Sequence, residues 1–133
     1  MVKKENKILI VEDEEPILRV LVDQFVLNGF QVLEAKDGEK GLSVAEDDKP
    51  DLIILDLFMP KMDGVTMLKK LRESGEWGEQ VPVIIVTNFI NRSSHEEVMS
   101  YNVLEFIVKT DLKIKNLIEK VKYHLRAGGQ FSS

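Results

Sequence analysis

Four apolar runs in this chain end in residues whose types could do chemistry together. Ile8-Leu9-Ile10-Val11 runs into Glu12 and Asp13, Leu52-Ile53-Ile54-Leu55 into Asp56, Val83-Ile84-Ile85-Val86 into Thr87, and Phe106-Ile107-Val108 into Lys109. Three neighbouring carboxylates repel one another unless a cation sits among them, and all-oxygen ligation suits magnesium with several retained waters. A carboxylate beside such a metal can attack phosphorus and become an aspartyl phosphate. The metal and a lysine would neutralise charge on the transferred group while a hydroxyl bonds another of its oxygens. Each residue also has a plainer role. Glu12 and Asp13, with Glu14 and Glu15 before Pro16, suit the positive end of a helix, and Asp56 suits a turn before Met59-Pro60. Thr87 fits a strand by propensity and Lys109 a solvated edge. The convergence of acid, acid, hydroxyl and amine on one rim is what carries the chemical reading.

That rim requires a particular set of elements. The apolar runs, with Val103-Leu104-Glu105 extending the last one, are rich in β-branched residues and too short for helices, so they read as strands. The first three are apolar at every position, as expected of parallel strands covered on both faces. Phe30-Gln31-Val32-Leu33-Glu34 alternates in part and fits an edge strand. Ile17, Leu18, Leu21, Val22, Phe25 and Val26 recur at helical spacing and stop at Asn28-Gly29. Asp37 caps a shorter helix to Ala45, and Val65, Leu68 and Leu71 mark a third after Gly64. Ser93 or Ser94, followed by Glu96 or Glu97, reads as the capping box of a fourth. Ile114, Leu117, Ile118, Val121 and Leu125 stripe a fifth that ends near Gly128-Gly129. Five strands, each followed by a helix, imply an α/β doubly wound parallel sheet with right-handed crossovers. Ligands of such sheets bind outside the carboxyl ends of the strands. One domain over residues 1–126 and a loose tail over 127–133 are expected.

Composition narrows the class. The chain has 133 residues, 44% of them apolar, with 18 basic against 23 acidic residues and a net charge of −5. A length of this order supports one core rather than two. The acidic balance argues against nonspecific nucleic-acid binding, which needs a basic face to release counterions. Without cysteine there is no disulfide, zinc-thiolate site or thiol catalysis, and a cytoplasmic location is the expectation. The first apolar run is too brief for a signal peptide, and none approaches the roughly 20 residues of a membrane span.

The sequence resembles the receiver domain of two-component response regulators. The matching pieces are Ile8 to Glu14, Asp51 to Asp56, Met59-Pro60-Lys61-Met62-Asp63-Gly64, Val83 to Thr87 and Phe106 to Lys109, over about residues 6 to 126. The resemblance implies the flavodoxin-like fold, a (βα)5 three-layer sandwich with strand order 2-1-3-4-5. It implies Asp56 as phosphoacceptor, Asp13 as a metal-ligating acid with Glu12 acting through water, and the Phe58 backbone carbonyl as a further ligand. Thr87 corresponds to the switch hydroxyl, Phe106 to the switch aromatic and Lys109 to the lysine that pairs with the phosphoryl group. The implied cofactor is Mg2+, with Mn2+ as a substitute. The implied partners are a sensor histidine kinase or histidine phosphotransfer protein and a downstream protein docking on the fourth helix, fifth strand and fifth helix. A monomer or a phosphorylation-dependent dimer is implied, with no membrane span and no direct nucleic-acid contact. On this reading the chain is a switch that assists its own phosphorylation and dephosphorylation and turns over no separate substrate. With nearly all residues spent on that fold, the output is expected from another molecule. The rival readings are a degenerate receiver serving only as an interaction module and the N-terminal receiver of a longer regulator.

Several positions depart from the family pattern. Glu12 stands where Asp is frequent, and Thr110 follows Lys109 where proline is usual. Without proline a trans peptide is expected there, because a cis bond would cost about 2.5–4 kcal/mol. Asn88 is bulkier than the small residue common after the switch hydroxyl and could narrow access to Asp56. Phe58 and Phe89 each lie two residues beyond a site residue and cannot orient a water, so slow loss of the phosphoryl group by shielding is expected. The alternative is that both rings pack outward or against a partner. Phe106 lacks tyrosine's hydroxyl, leaving its switch to packing; a plain core phenylalanine is the other reading. His95 and His124 fall in no ligand pattern, and Trp77, in the glycine-flanked turn Ser74-Gly75-Glu76-Trp77-Gly78, has no derivable role. Haloacid-dehalogenase-type phosphatases carry a second acid two residues after the nucleophile, where this chain has Phe58. No Gly-Lys-Ser or Gly-Lys-Thr phosphate loop occurs, which argues against nucleotide hydrolysis.

Overall fold

The computed structural model describes residues 6–88 and 91–131. The apolar runs form β1 (Lys7–Val11), β3 (Leu52–Leu55) and β4 (Val83–Thr87), and β2 (Gln31–Ala35) and β5 (Glu105–Val108) flank them. All five strands pair in parallel in the order β2-β1-β3-β4-β5. The connecting helices are α1 (Glu15–Leu27), α2 (Gly38–Asp48), α3 (Gly64–Arg72), α4 (Glu76–Gln80), α5 (Arg92–Met99) and α6 (Ile114–Phe131). A 3-10 turn over Lys109–Asp111 links β5 to α6.

Alternate side chains of a strand point to opposite faces, and the core divides accordingly. Leu9, Val11, Ile53, Leu55, Val83 and Ile85 pack with Ala45 of α2, Met67, Leu68 and Leu71 of α3 and Val98 of α5. Ile8, Ile10, Leu52, Ile54, Ile84 and Val86 pack on the other face with Leu18, Leu21 and Phe25 of α1 and Leu117, Ile118 and Val121 of α6. Both faces of β1, β3 and β4 are covered, which is why those runs carry no polar residue before their ends. Among the described residues no helix is long and apolar enough to cross a membrane.

Caps set the helix boundaries that hold the site. Pro16 lies in the first turn of α1, where its missing N–H costs nothing, and Gly29 at φ 90° follows the Asn28 cap. Asp37 accepts from Lys40 N at 2.8 Å and Asp63 from Thr66 N at 2.8 Å, opening α2 and α3. Gly64 is the one glycine that the site itself demands. A Cβ there would lie 2.2 Å from the Asp56 carbonyl oxygen, so only glycine lets α3 start against the backbone of Asp56.

Four details correct the sequence expectations. The cap of α5 is Asn91, whose side chain accepts from Ser93 N and Ser94 N; neither Ser93 nor Ser94 caps, because Asn three residues upstream of Ser94 is an equally strong N-cap and starts the helix sooner. The glycine-flanked segment around Trp77 is helical as α4. β2 starts one residue later than expected because Phe30 turns inward against Phe25, ring centroids 5.4 Å apart. The tail expected over residues 127–133 is helical through Phe131, since glycine lowers helix propensity by only about 1 kcal/mol and no proline intervenes. The Lys109–Thr110 peptide is trans, in line with the cost of the alternative.

Arg72, at the end of α3, ties three connections together. Its Nε donates to Tyr101 O at 2.8 Å, Nη1 to Gly78 O at 2.9 Å and Val81 O at 2.7 Å, and Nη2 to Asn102 O at 3.3 Å. Burial pushes its guanidinium below the usual arginine range.

Candidate functional site

The carboxyl ends of β1, β3, β4 and β5 meet at one rim. Asp56 follows β3 and is only 3% exposed, Glu12 follows β1 at 2%, and Thr87 closes β4 fully buried. The parallel register places Val11 beside Leu55 and Thr87 beside Val108, so the residues after them converge. Asp13, Glu14, Asp56, Phe58, Thr87, Asn88 and Lys109 line a cavity of about 340 Å³ above the rim.

Lys109 is the electrostatic centre of this cavity. Its Nζ lies 2.8 Å from Glu12 Oε1, 2.9 Å from Asp56 Oδ2 and 3.2 Å from Glu14 Oε2. Burial works against the ammonium, but the hydrogen bonds to Glu12 and Asp56 outweigh it and hold the lysine above its usual range. Glu12 Oε2 accepts from Glu14 N at 3.0 Å, so both oxygens of Glu12 are engaged. Phe58 N donates to Asp56 Oδ1 at 3.3 Å.

One oxygen each of Glu12, Asp13 and Asp56 lies within 4.8 Å of the others. An all-oxygen set of this size, rich in charge and partly open to water through exposed Asp13, fits a hard divalent cation rather than a soft one.

Burial pushes the Glu12 carboxyl up to about 6, with Asp56 adding repulsion and the bonds from Lys109 and Glu14 N only partly opposing it. The folded-state value lies above the unfolded one, so this group's stabilisation is complete below the ordinary carboxylate range and is lost as pH rises through about 6. At most about 2 kcal/mol is at stake for a shift of this size. Glu105 runs the other way. Burial raises its pKa, but bonds to Lys120 and His124 prevail and hold it low, so its stabilisation fades only at more acid pH. The metal-free protein is therefore expected to show a lower urea midpoint near pH 7 than near pH 5, and Glu12→Gln is expected to flatten that difference. Equal slopes for both proteins would show that Glu12 is not strained by its burial.

Most of the residues named from sequence gather here. Glu12, Asp13, Asp56, Phe58, Thr87, Asn88 and Lys109 share the rim; Phe89 lies outside the described residues. The Phe58 ring is 73% exposed at the edge of the cavity. Phe106 lies on β5, half-buried against the core face formed with α3 and α5. His95, set aside on sequence grounds, packs edge-on against Phe106 with ring centroids 4.6 Å apart. Glu14 was readable only as part of an acidic run, and its contact with Lys109 depends on the fold.

This fold and this rim define a class that the comparisons identify. The family model for the response regulator receiver domain matches residues 8–122, and the chain belongs to that family. It is 32% identical over 130 residues to the probable transcriptional regulator ycf27 of Porphyridium aerugineum, an alignment covering 98% of this chain and 52% of that protein. It is 48% identical over 68 residues to the alkaline phosphatase synthesis transcriptional regulatory protein PhoP of Bacillus subtilis, covering 51% of this chain and 28% of that one. The chain thus spans about half or less of the length of these relatives. Among solved structures, the CheY-like receiver domain protein of Methanospirillum hungatei superposes with a TM-score of 0.87 at 24% identity, covering 96% of this chain and 98% of that one. Receiver domains are signalling domains that bind Mg2+ through an acidic pocket, and Glu12, Asp13 and Asp56 form an acidic cluster of a size that could hold a metal ion.

Proposed function

We propose that this chain is a phosphoacceptor switch that takes a phosphoryl group from a phosphohistidine onto Asp56. The observation that carries this reading is a buried carboxylate at a strand end, 2.9 Å from a lysine Nζ and facing an open cavity. An Asp56 oxygen attacks phosphorus as the P–N bond breaks, and the departing electron pair returns to the imidazole, which takes a proton. Lys109 is placed to follow the charge from the carboxylate to the phosphoryl oxygens, and the Thr87 hydroxyl to donate to another. Asp13, Asp56 and the Phe58 carbonyl would hold Mg2+, with Glu12 acting through water; the ion supplies charge neutralisation on the transferred group.

The donor class is a sensor histidine kinase or a histidine phosphotransfer protein. Drawing Thr87 toward the phosphoryl group vacates space beneath Phe106, whose inward movement would release His95 and reshape the α5–β5–α6 face. This pre-existing equilibrium is shifted rather than created by phosphorylation. A downstream protein would dock on that face. Adding beryllofluoride with Mg2+ is expected to move the NMR signals of Thr87, His95 and Phe106 together, with smaller changes on the exposed side of α2. Changes confined to the rim would mean that the phosphoryl site does not communicate with that face.

A further inference from the structure

Two departures from the family pattern, Asn88 and Thr110, are bonded to each other. Asn88 Oδ1 accepts from Thr110 N at 3.1 Å, across 22 residues of sequence. Only a residue other than proline has that N–H to give. The last register pair between β4 and β5 is Thr87 with Val108. The Asn88–Thr110 bond therefore carries the tie between the two strands past the end of their ladder, using a side chain where the backbone pairing stops. Asn88 follows Thr87 directly and Thr110 follows Lys109 directly, and Asn88 and Lys109 both line the cavity over Asp56.

We infer that Asn88 is a positioning residue of the phosphoacceptor pocket, clasping the chain just past Thr87, where it leaves β4, to the turn that carries Lys109. The inference rests on the phosphoacceptor reading of Asp56. While the clasp is closed, the hydroxyl and the ammonium stay in fixed relation across the pocket mouth, and the mouth stays narrow to water. Without it, the chain past Thr87 and the turn at Lys109 part beyond the end of the ladder, the pocket mouth widens and the phosphoryl group is lost sooner.

The test compares the native chain with Asn88→Ala, Asn88→Asp, Thr110→Pro and the double variant Asn88→Ala/Thr110→Pro. In unphosphorylated protein, the Thr110 amide is expected to exchange with solvent several-fold faster in Asn88→Ala than in the native chain. Asn88→Asp keeps the acceptor and is expected to restore slow exchange. After loading with acetyl phosphate and Mg2+, Asn88→Ala and Thr110→Pro are each expected to lose the phosphoryl group roughly two- to tenfold faster, the range of a single hydrogen bond. The double variant should lose it no faster than the quicker single one. Equal Thr110 exchange in the native and Asn88→Ala proteins overturns the clasp, as does multiplication of the two rate effects or an unchanged lifetime in Asn88→Ala. If Thr110→Pro does not fold, the Ala and Asp variants at position 88 decide by themselves. A native chain that takes up no phosphoryl group would defeat the phosphoacceptor reading, while Thr110 exchange would still judge the clasp.

Discussion

Lys109→Met is expected to destabilise the metal-free protein by about 3–5 kcal/mol near neutral pH, the cost of leaving one side of a buried ion pair uncompensated. The side chains of Lys109, Glu12 and Asp56 are all within a few percent of full burial, so the two carboxylates lose their nearest cation while little of their own surface meets water. Methionine preserves most of the apolar stem, which confines the change to charge. Glu12 would answer by taking up a proton more readily than it already does, so the loss should shrink near pH 5. A second substitution, Glu12→Gln, should recover much of the stability by removing the repulsion, and added Mg2+ should recover some of it in the single variant. Urea unfolding at two pH values, with and without Mg2+, measures all of this. Equal losses at both pH values would contradict the view that Lys109 acts as the resident cation of the acidic cluster.

The second large effect lies at the opposite end of the sheet. Arg72→Ala is expected to cost about 3 kcal/mol, because it strips the carbonyls of Gly78, Val81, Tyr101 and Asn102 of a charged donor whose bonds are typically worth 1.5–3 kcal/mol each but are not additive. Arg72→Lys should recover less than half, since an ammonium cannot reach four carbonyls with a fixed fork. Val81 precedes β4, and Tyr101 and Asn102 precede β5, so the clasp anchors the amino ends of the two strands whose carboxyl ends carry Thr87 and Lys109. Phosphoryl uptake by the folded fraction should stay native-like. A loss under 1 kcal/mol in urea unfolding would mean that α4 and the α5–β5 turn hold their places without Arg72.

The contrast between these two residues shows what the sequence could say. Lys109 closes an apolar run, and its charge complements the acids closing two others, so its place at the rim follows from strand assignment alone. Arg72 sits in Leu68-Lys69-Lys70-Leu71-Arg72, where nothing separates it from its basic neighbours; its role exists only because three connections meet around it. The helix α4 was missed for the same reason, since its five residues follow Gly75 at φ 131° and are fixed by a guanidinium from another element. The strands, their two covered faces and the caps at Asp37 and Asn28 were legible because they rest on periodicity and local chemistry, whereas the sheet order followed only from the family resemblance. Asn88 and Thr110 could each be singled out as departures, but the bond between them depends on the β4–β5 register. His95 against Phe106 likewise pairs a helix with a strand that is adjacent only in space.

The most direct test of the account is the intact mass of the full chain after incubation with Mg2+ and acetyl phosphate. The native protein is expected to gain a single phosphoryl group that hydroxylamine removes, and Asp56→Asn is expected to gain none. A native chain without the adduct, or an Asp56→Asn variant that carries it equally, would contradict the assignment of Asp56 as the phosphoacceptor.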